Sequence, residues 1–259
     1  MTRYNSAAFY MEGKGLEISI TPEHLFDVLN VPVTNTLIAA LAATAVLVAL
    51  AFVARRELSF ASPRGIQNVV ELVVESALGM MEEVLGDRKL AQKVFPIITT
   101  VFLFILTANW MEFLPGVGSI TFAEGAHTVP LLRSVNTDLN VTLALAAIAV
   151  VLVQVMGVTV VGGLKYAKKF INLKSPIGFF IGFVEFLSET TRLISFSFRL
   201  FGNIFAGEVL LLVMSYFLPV LLPVPFMLFE VMVGLIQATI FAALMLIFVK
   251  VAVTHDEAH

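Results

Sequence analysis

Six polar or charged residues fall on one line of a segment that is otherwise hydrocarbon. Glu185, Ser188, Arg192, Ser195, Arg199 and Asn203 follow one another at steps of three or four residues, amid Phe196, Phe198, Leu200 and Phe201. At about 100° per residue along a helix, all of them lie within about 40° of Arg199. Glu208 lies about 180° away by the same geometry. Further on, Glu230, Gly234 and Gln237 form a second stripe at i, i+4 and i+7. Carboxylates, hydroxyls and amides spaced by single helical turns through hydrocarbon can pass a small ion from group to group. A guanidinium cannot join such a relay, because it stays protonated with a pKa above about 12. Its role there is to set the local potential. A charge at the bilayer centre costs about 2.5–3.5 kcal/mol on insertion scales and about 10–17 in simulations of an isolated helix. Either figure demands a partner or a function.

Plainer readings exist for the same residues. Arg192 is near one end of its segment and can snorkel to the surface. Arg199 has Glu185 and Glu208 as candidate structural partners, although neither shares its depth and face. Glu208 and Glu230 can pair with hydroxyls or stay protonated and inert. Glu71, Glu75, Glu82 and Glu83 read as a solvated face. His24, His127, His255 and His259 are scattered in loops or tails without metal-ligand spacing, and "GVGSI" at 116–120 reads as a loop only. The chain contains no cysteine, and no phosphate loop, nucleophile elbow or zinc motif is present. Cofactors and metals are therefore not expected.

The elements that must hold these residues follow from composition. Hydrophobic residues make up 59% and charged residues 14% of the 259, against about 25% charged in soluble domains. Mean hydropathy is +0.95. A spanning helix needs about 20 mostly apolar residues, and segments at 37–54, 94–114, 139–164, 176–216 and 225–252 qualify. The last two are joined by "LPVLLPVP" at 218–225, which predicts a proline-rich turn between two long antiparallel helices. Residues 66–93 repeat apolar positions at helical spacing yet carry too much charge to span, so they predict an amphipathic helix at the membrane surface. The expected fold is an all-α polytopic membrane protein of five membrane-inserted helices and one interfacial helix. A mixed polar segment, 1–36, precedes a single membrane domain, 37–259; it has no signal-peptide pattern and is expected to stay on the mature chain.

Positive charge orients the spans. Arg55, Arg56, Arg64, Arg88, Lys89, Lys93, Lys165, Lys168, Lys169, Lys174 and Lys250 fall on one side; Arg3, Lys14 and Arg133 fall on the other. Eleven against three places the N-terminus outside and the C-terminus in the cytoplasm. No internal repeat is visible, which weighs against an inverted-repeat transporter.

The stretch "RLFGNIFAGE", Arg199 to Glu208, resembles the signature of subunit a of F-type ATP synthase, bacterial type, the stator subunit of the membrane sector. "NWMEFLPG" at 109–116, "TDLNVTLALA" at 137–146, "GLIQATIFAALMLIF" at 234–248 and the tail "THDEAH" resemble the same family in order and spacing, so the likeness covers nearly the whole chain. The resemblance implies that Arg199 faces a rotating ring of c subunits, each with a membrane-embedded carboxylate, with Asn203 and Gln237 as its polar neighbours. It implies acid–base roles for Glu208 and Glu230 in a half-channel open to the outside. Asn109, Glu112, Asp138 and Asn140 would stand toward its mouth, and Glu185, Ser188 and Arg192 in the inner half-channel. Many relatives carry a histidine at one of the two acid–base positions, whereas Glu208 and Glu230 are both acids here. Which of them relays the proton is left open.

On this resemblance the chain is a non-catalytic, ion-translocating stator in the bacterial plasma (inner) membrane. Two offset half-channels would pass protons to and from the c-ring, and Arg199 would prevent a direct leak. Its implied partners are the c-ring, the peripheral-stalk b subunits and lipid, with no nucleic acid. Titratable glutamates along the path favour protons over sodium. Two rival readings are a self-contained proton-coupled secondary transporter and a structural membrane scaffold, the latter having no need of Arg199.

Overall fold

A computed structural model describes residues 21–28, 31–57, 66–114, 121–124, 127–170, 176–219 and 221–254. Arg3, Lys14, Arg64, Lys174, His255, His259, the 116–120 loop and most of the "THDEAH" tail lie outside the described residues. The helices are α1 (Asn35–Glu57), α2 (Ile66–Leu85), α3 (Arg88–Met111), α4 (Leu139–Val161), α5 (Gly163–Phe170), α6 (Pro176–Phe217) and α7 (Pro223–Thr254). Five of them, α1, α3, α4, α6 and α7, are long and apolar enough to cross a membrane. A bilayer core leaves a backbone no water to bond, so helices that satisfy their own amides are the expected solution. The exposed side chains agree: Leu41, Val48, Leu50 and Phe52 of α1 and Phe179, Phe180 and Phe183 of α6 present apolar surface that only lipid or a partner covers.

Several boundaries differ from the sequence expectation. The surface helix 66–93 ends at Leu85, and residues 88–93 instead begin the helix expected at 94–114. Gly86 adopts φ +78°, a left-handed conformation that glycine takes without steric cost. The Asp87 carboxylate then accepts a hydrogen bond from the Lys89 amide at 2.8 Å, which starts the new helix. Across this turn Arg88 pairs with Glu75 and Glu82, both at 2.8 Å, so two acids of the solvated face share one exposed cation. α3 stops at Met111, with Glu112 in the following turn, so its last three expected residues are not helical. The span expected at 139–164 ends at Val161, where Gly162 (φ +94°) turns the chain into α5.

Two short β-hairpins were not expected: β1 (His24–Val28) with β2 (Val31–Thr34), and β3 (Thr121–Glu124) with β4 (His127–Pro130), both antiparallel. The first feeds directly into α1. Thr34 Oγ1 accepts from the Leu37 amide at 3.3 Å as the helix cap. Asn35, fully buried, exchanges hydrogen bonds with Glu23 and donates to the Pro130 carbonyl at 3.4 Å.

The chain divides into two compact units: residues 1–48, 103–142 and 199–238 form the first, and 49–102, 143–198 and 239–259 the second. In the first unit, Ala39, Ala108 and Val135 make a small apolar core with Phe104, Leu132 and Val141 around it. In the second, Phe196 packs edge-on against Phe241 and Phe248. Also in the second unit, Tyr166 of α5 donates to Gln154 Oε1 of α4 at 2.7 Å. Its ring occupies the space where any side chain on buried Gly157 would stand. Gly157→Ala is therefore expected to destabilise the α4–α5 turn by about 1–3 kcal/mol through overpacking. A lowered thermal midpoint of the purified chain in detergent checks this, and Tyr166→Ala in the same chain should return much of the loss.

Candidate functional site

α6 runs unbroken for 42 residues, so the helical arithmetic that aligns Glu185, Ser188, Arg192, Ser195, Arg199 and Asn203 applies along its whole length. In the first unit the helix packs through Leu200, Ile204 and Gly207, all buried. Arg199, Gly202, Asn203 and Ala206 lie on its exposed side. No ion pair or hydrogen bond to Arg199 exists among the described residues, so neither Glu185 nor Glu208 is its partner. The flanking Gly202 and Ala206 carry little or no side chain, which leaves the guanidinium prominent on an open face.

α7 turns its polar stripe inward. Glu230, Gly234 and Gln237 are all buried, on the seam that also holds Ala238. Asn203 donates to Gln237 Oε1 at 2.7 Å, which ties α6 to α7 one turn beyond Arg199. Gln237 Nε2 is buried without a hydrogen-bond partner among the described residues. The Glu230 carboxylate lies directly over Gly207, where even a methyl group would collide with it. Within this unit α6 and α7 run antiparallel: Gly207 faces Glu230 and Asn203 faces Gln237.

The end of α3 grips α7 through two backbone carbonyls. Asn109 Nδ2 donates to the Gly234 carbonyl at 3.1 Å, and the Trp110 indole donates to that of Val231 at 3.1 Å. Asn109 Oδ1 in turn accepts from Asn136 Nδ2 at 2.6 Å, and both asparagines are buried. A Cβ at Gly234 would approach Asn109 Cβ to 3.0 Å, so glycine is what allows the grip. Glu112 follows α3, half-buried, within electrostatic reach of Glu208, Glu230 and Arg133. Arg133 Nη2 stands 3.5 Å from Glu208 Oε2, and the Arg133 side chain is only 9% exposed. Asp138 and Asn140 have different surroundings. Buried Asp138 accepts from Thr36 Oγ1 at 2.8 Å and from the amide and side chain of Asn140 at 2.9 and 3.1 Å. These contacts fasten the start of α4 to the start of α1.

In the second unit, Arg192 donates to Glu189 Oε1 at 2.7 Å and lies over the Phe248 ring at 4.7 Å. It is thus paired and stacked within its own chain, rather than reaching for the surface. Glu185 and Ser188 are half-buried on the same helix. Tyr166 is within electrostatic reach of Glu189, Arg192 and Glu185, and burial pushes its phenol up to about 12, so it remains a hydrogen-bond donor.

The structure thus places Arg199, Asn203, Gln237, Glu230, Glu208, Glu112 and Asn109 in one compact unit. Sequence reasoning missed Asn136, on the buried turn 134–138, and Arg133, directly before that turn. A polar turn reads as a solvent-exposed loop, and only the run of Ser, Asn, Thr and Asp before α4 hinted at a buried hydrogen-bonding role. Glu189 lies beside the polar stripe, off its line, and Gly207 had no signal apart from its place inside "RLFGNIFAGE".

With this geometry in place, the comparisons with known proteins are direct. The family model described as ATP synthase A chain matches residues 36–250. ATP synthase subunit a of Moorella thermoacetica is 32% identical over 230 residues, covering 89% of this chain and 95% of that one. The subunit of Mycobacterium bovis is 33% identical over 252 residues, covering 94% and 96%. That of Gloeobacter violaceus is 36% identical over 214 residues, covering 82% and 81%. Five helices fit to cross a bilayer and a match that runs from the first turn of α1 to the last turns of α7 lead to one conclusion: this chain is a multi-pass membrane protein belonging to the ATP synthase A chain family.

Proposed function

We propose that the chain is the proton-translocating stator of an ATP synthase membrane sector, with Arg199 facing the carboxylates of a rotating c-ring. The observation that carries this reading is the open placement of Arg199 beside Gly202 and Ala206, with no partner among the described residues. A guanidinium in hydrocarbon needs a counter-charge. Here that charge is supplied by each ring carboxylate as it passes. An opposite charge within a few ångströms in a low-dielectric site favours the ionised carboxylate. Each ring group therefore gives up its proton on approaching Arg199 and takes another after leaving it.

The outer half-path runs through Glu112, Glu208 and Glu230, with Asn109, Asp138 and Asn140 toward its mouth and Asn203 and Gln237 near the ring. Asn109 supports it mainly by holding α7, and Asp138 by fastening the start of α4. The inner half-path runs along Glu185, Ser188 and Arg192, with the Arg192–Glu189 pair fixing that stretch of α6. Arg199 keeps protons from crossing directly from one path to the other, so they cross only as the ring turns. Moving one charge through 100 mV is worth about 2.3 kcal/mol, and that work drives the rotation. The N-terminus lies outside and the C-terminus in the cytoplasm, a reading that the lysine and arginine distribution supports. The peripheral-stalk b subunits hold the chain against the torque, and nucleotide chemistry belongs to other subunits. A self-contained transporter would have to compensate Arg199 within its own helices.

Arg199→Ala is expected to abolish ATP-driven proton pumping in inverted vesicles while the complex still assembles; normal pumping would overturn the mechanism. Glu208→Gln and Glu230→Gln should each slow proton flux through the complex, and unchanged flux in both removes them from the path. Gly207→Ala should displace the Glu230 carboxylate and cut pumping by about tenfold or more, since misplacement by about an ångström can cost that much. Pumping at the wild-type rate in assembled Gly207→Ala complexes would show that the Glu230 position does not matter.

A further inference from the structure

Glu112 lies within electrostatic reach of two other carboxylates, Glu208 and Glu230. Such a group attracts any cation, sodium included. Yet a positive charge, that of Arg133, stands beside Glu208. Arg133 Nη1 donates to the Thr21 carbonyl at 3.0 Å, and this backbone anchor holds the guanidinium in place. Nη2 then stands 3.5 Å from Glu208 Oε2, and that oxygen is buried with no hydrogen-bond partner among the described residues. Its negative charge is compensated, but its lone pairs are not used.

That combination treats protons and metal cations differently. A proton is taken up as an O–H bond on a single lone pair and needs no coordination shell. A metal cation must gather several oxygen ligands around itself. A guanidinium offers none, since all of its polar hydrogens are donors, and it repels a second cation at contact range. Among the described residues no three acids or histidines are grouped closely enough to hold a metal ion. Elsewhere, pore-lining arginines act as electrostatic barriers of this kind.

We propose that Arg133 is an ion-selectivity residue of the outer path: its anchored guanidinium keeps sodium and other alkali cations away from Glu208 while leaving that carboxylate able to exchange protons. The proposal rests on the reading of Glu208 as part of that path. ATP-driven proton pumping is measured in inverted vesicles holding the whole complex, with the lumen, which corresponds to the outer side, loaded with sodium chloride or with choline chloride at equal ionic strength. The wild type and Arg133→Lys should pump equally well with either salt. Arg133→Gln should be inhibited by lumenal sodium, at concentrations roughly tenfold lower than any that affect the wild type, as loss of a like charge predicts.

Equal insensitivity of Arg133→Gln and wild type overturns the proposal, and so does sodium inhibition of the wild type at the concentrations that inhibit Arg133→Gln. If Arg133→Gln does not assemble, Arg133→His gives the same comparison within one complex. Sodium inhibition is then expected above about pH 7.5, where histidine is neutral, and not near pH 6; equal sensitivity at both overturns the proposal. Glu208→Gln separates the two levels. Normal pumping in that variant removes Glu208 from the path altogether. Impaired pumping in Glu208→Gln, together with sodium-insensitive Arg133→Gln, removes the role of Arg133 alone.

Discussion

A polar group carried into hydrocarbon has no water to fall back on, so it must be satisfied by the chain, by a partner or by the ion that it handles. This constraint sorts the polar residues of α6 and α7 into two kinds. Most are paired internally: Asn203 with Gln237, Arg192 with Glu189, Glu208 with Arg133. Arg199 is of the other kind, exposed on α6 and unpaired among the described residues. A permanently charged side chain in that state points beyond its own chain. The proposed c-ring contact follows from this difference more than from the presence of an arginine as such.

The internally paired groups also explain how α7 is held. A helix whose backbone is already satisfied offers little to grip except the second lone pair of its carbonyls and the space above its glycines. Asn109 and Trp110 use the carbonyls of Gly234 and Val231, and Gly234 gives Asn109 the room to approach. Gly207 does the same for the Glu230 carboxylate across α6. Small residues in the seam therefore decide where the Glu230 and Asn109 side chains sit, as expected where helices pack closely in a membrane. The asparagine pair Asn136–Asn109 extends the grip to the turn before α4.

Much of the architecture was legible beforehand, because hydrocarbon imposes one dominant pattern. Runs of apolar residues fixed the five spanning helices, and the proline-rich stretch near 220 fixed the break between α6 and α7. Boundaries were less legible. Residues 88–93 carry charges that suit an interface, yet they continue α3, because a left-handed Gly86 and the Asp87 cap place the break before them. The hairpin before α1 escaped notice since 1–36 has no strong alternation of polar and apolar residues.

For the candidate site the division is similar. Sequence alone determined which residues share a helical face, because 100° per residue is a property of the backbone and needs no neighbours. The stripe from Glu185 to Asn203 and the stripe from Glu230 to Gln237 follow from that spacing alone. Tertiary structure decided which of those residues have partners. It brought Arg133 from a turn of α4's approach to Glu208, and Asn136 to Asn109 across 27 positions of chain. It also left Arg199 on an exposed face. Pairing between distant segments depends on how helices pack and where a buried turn folds back, and no local periodicity encodes either.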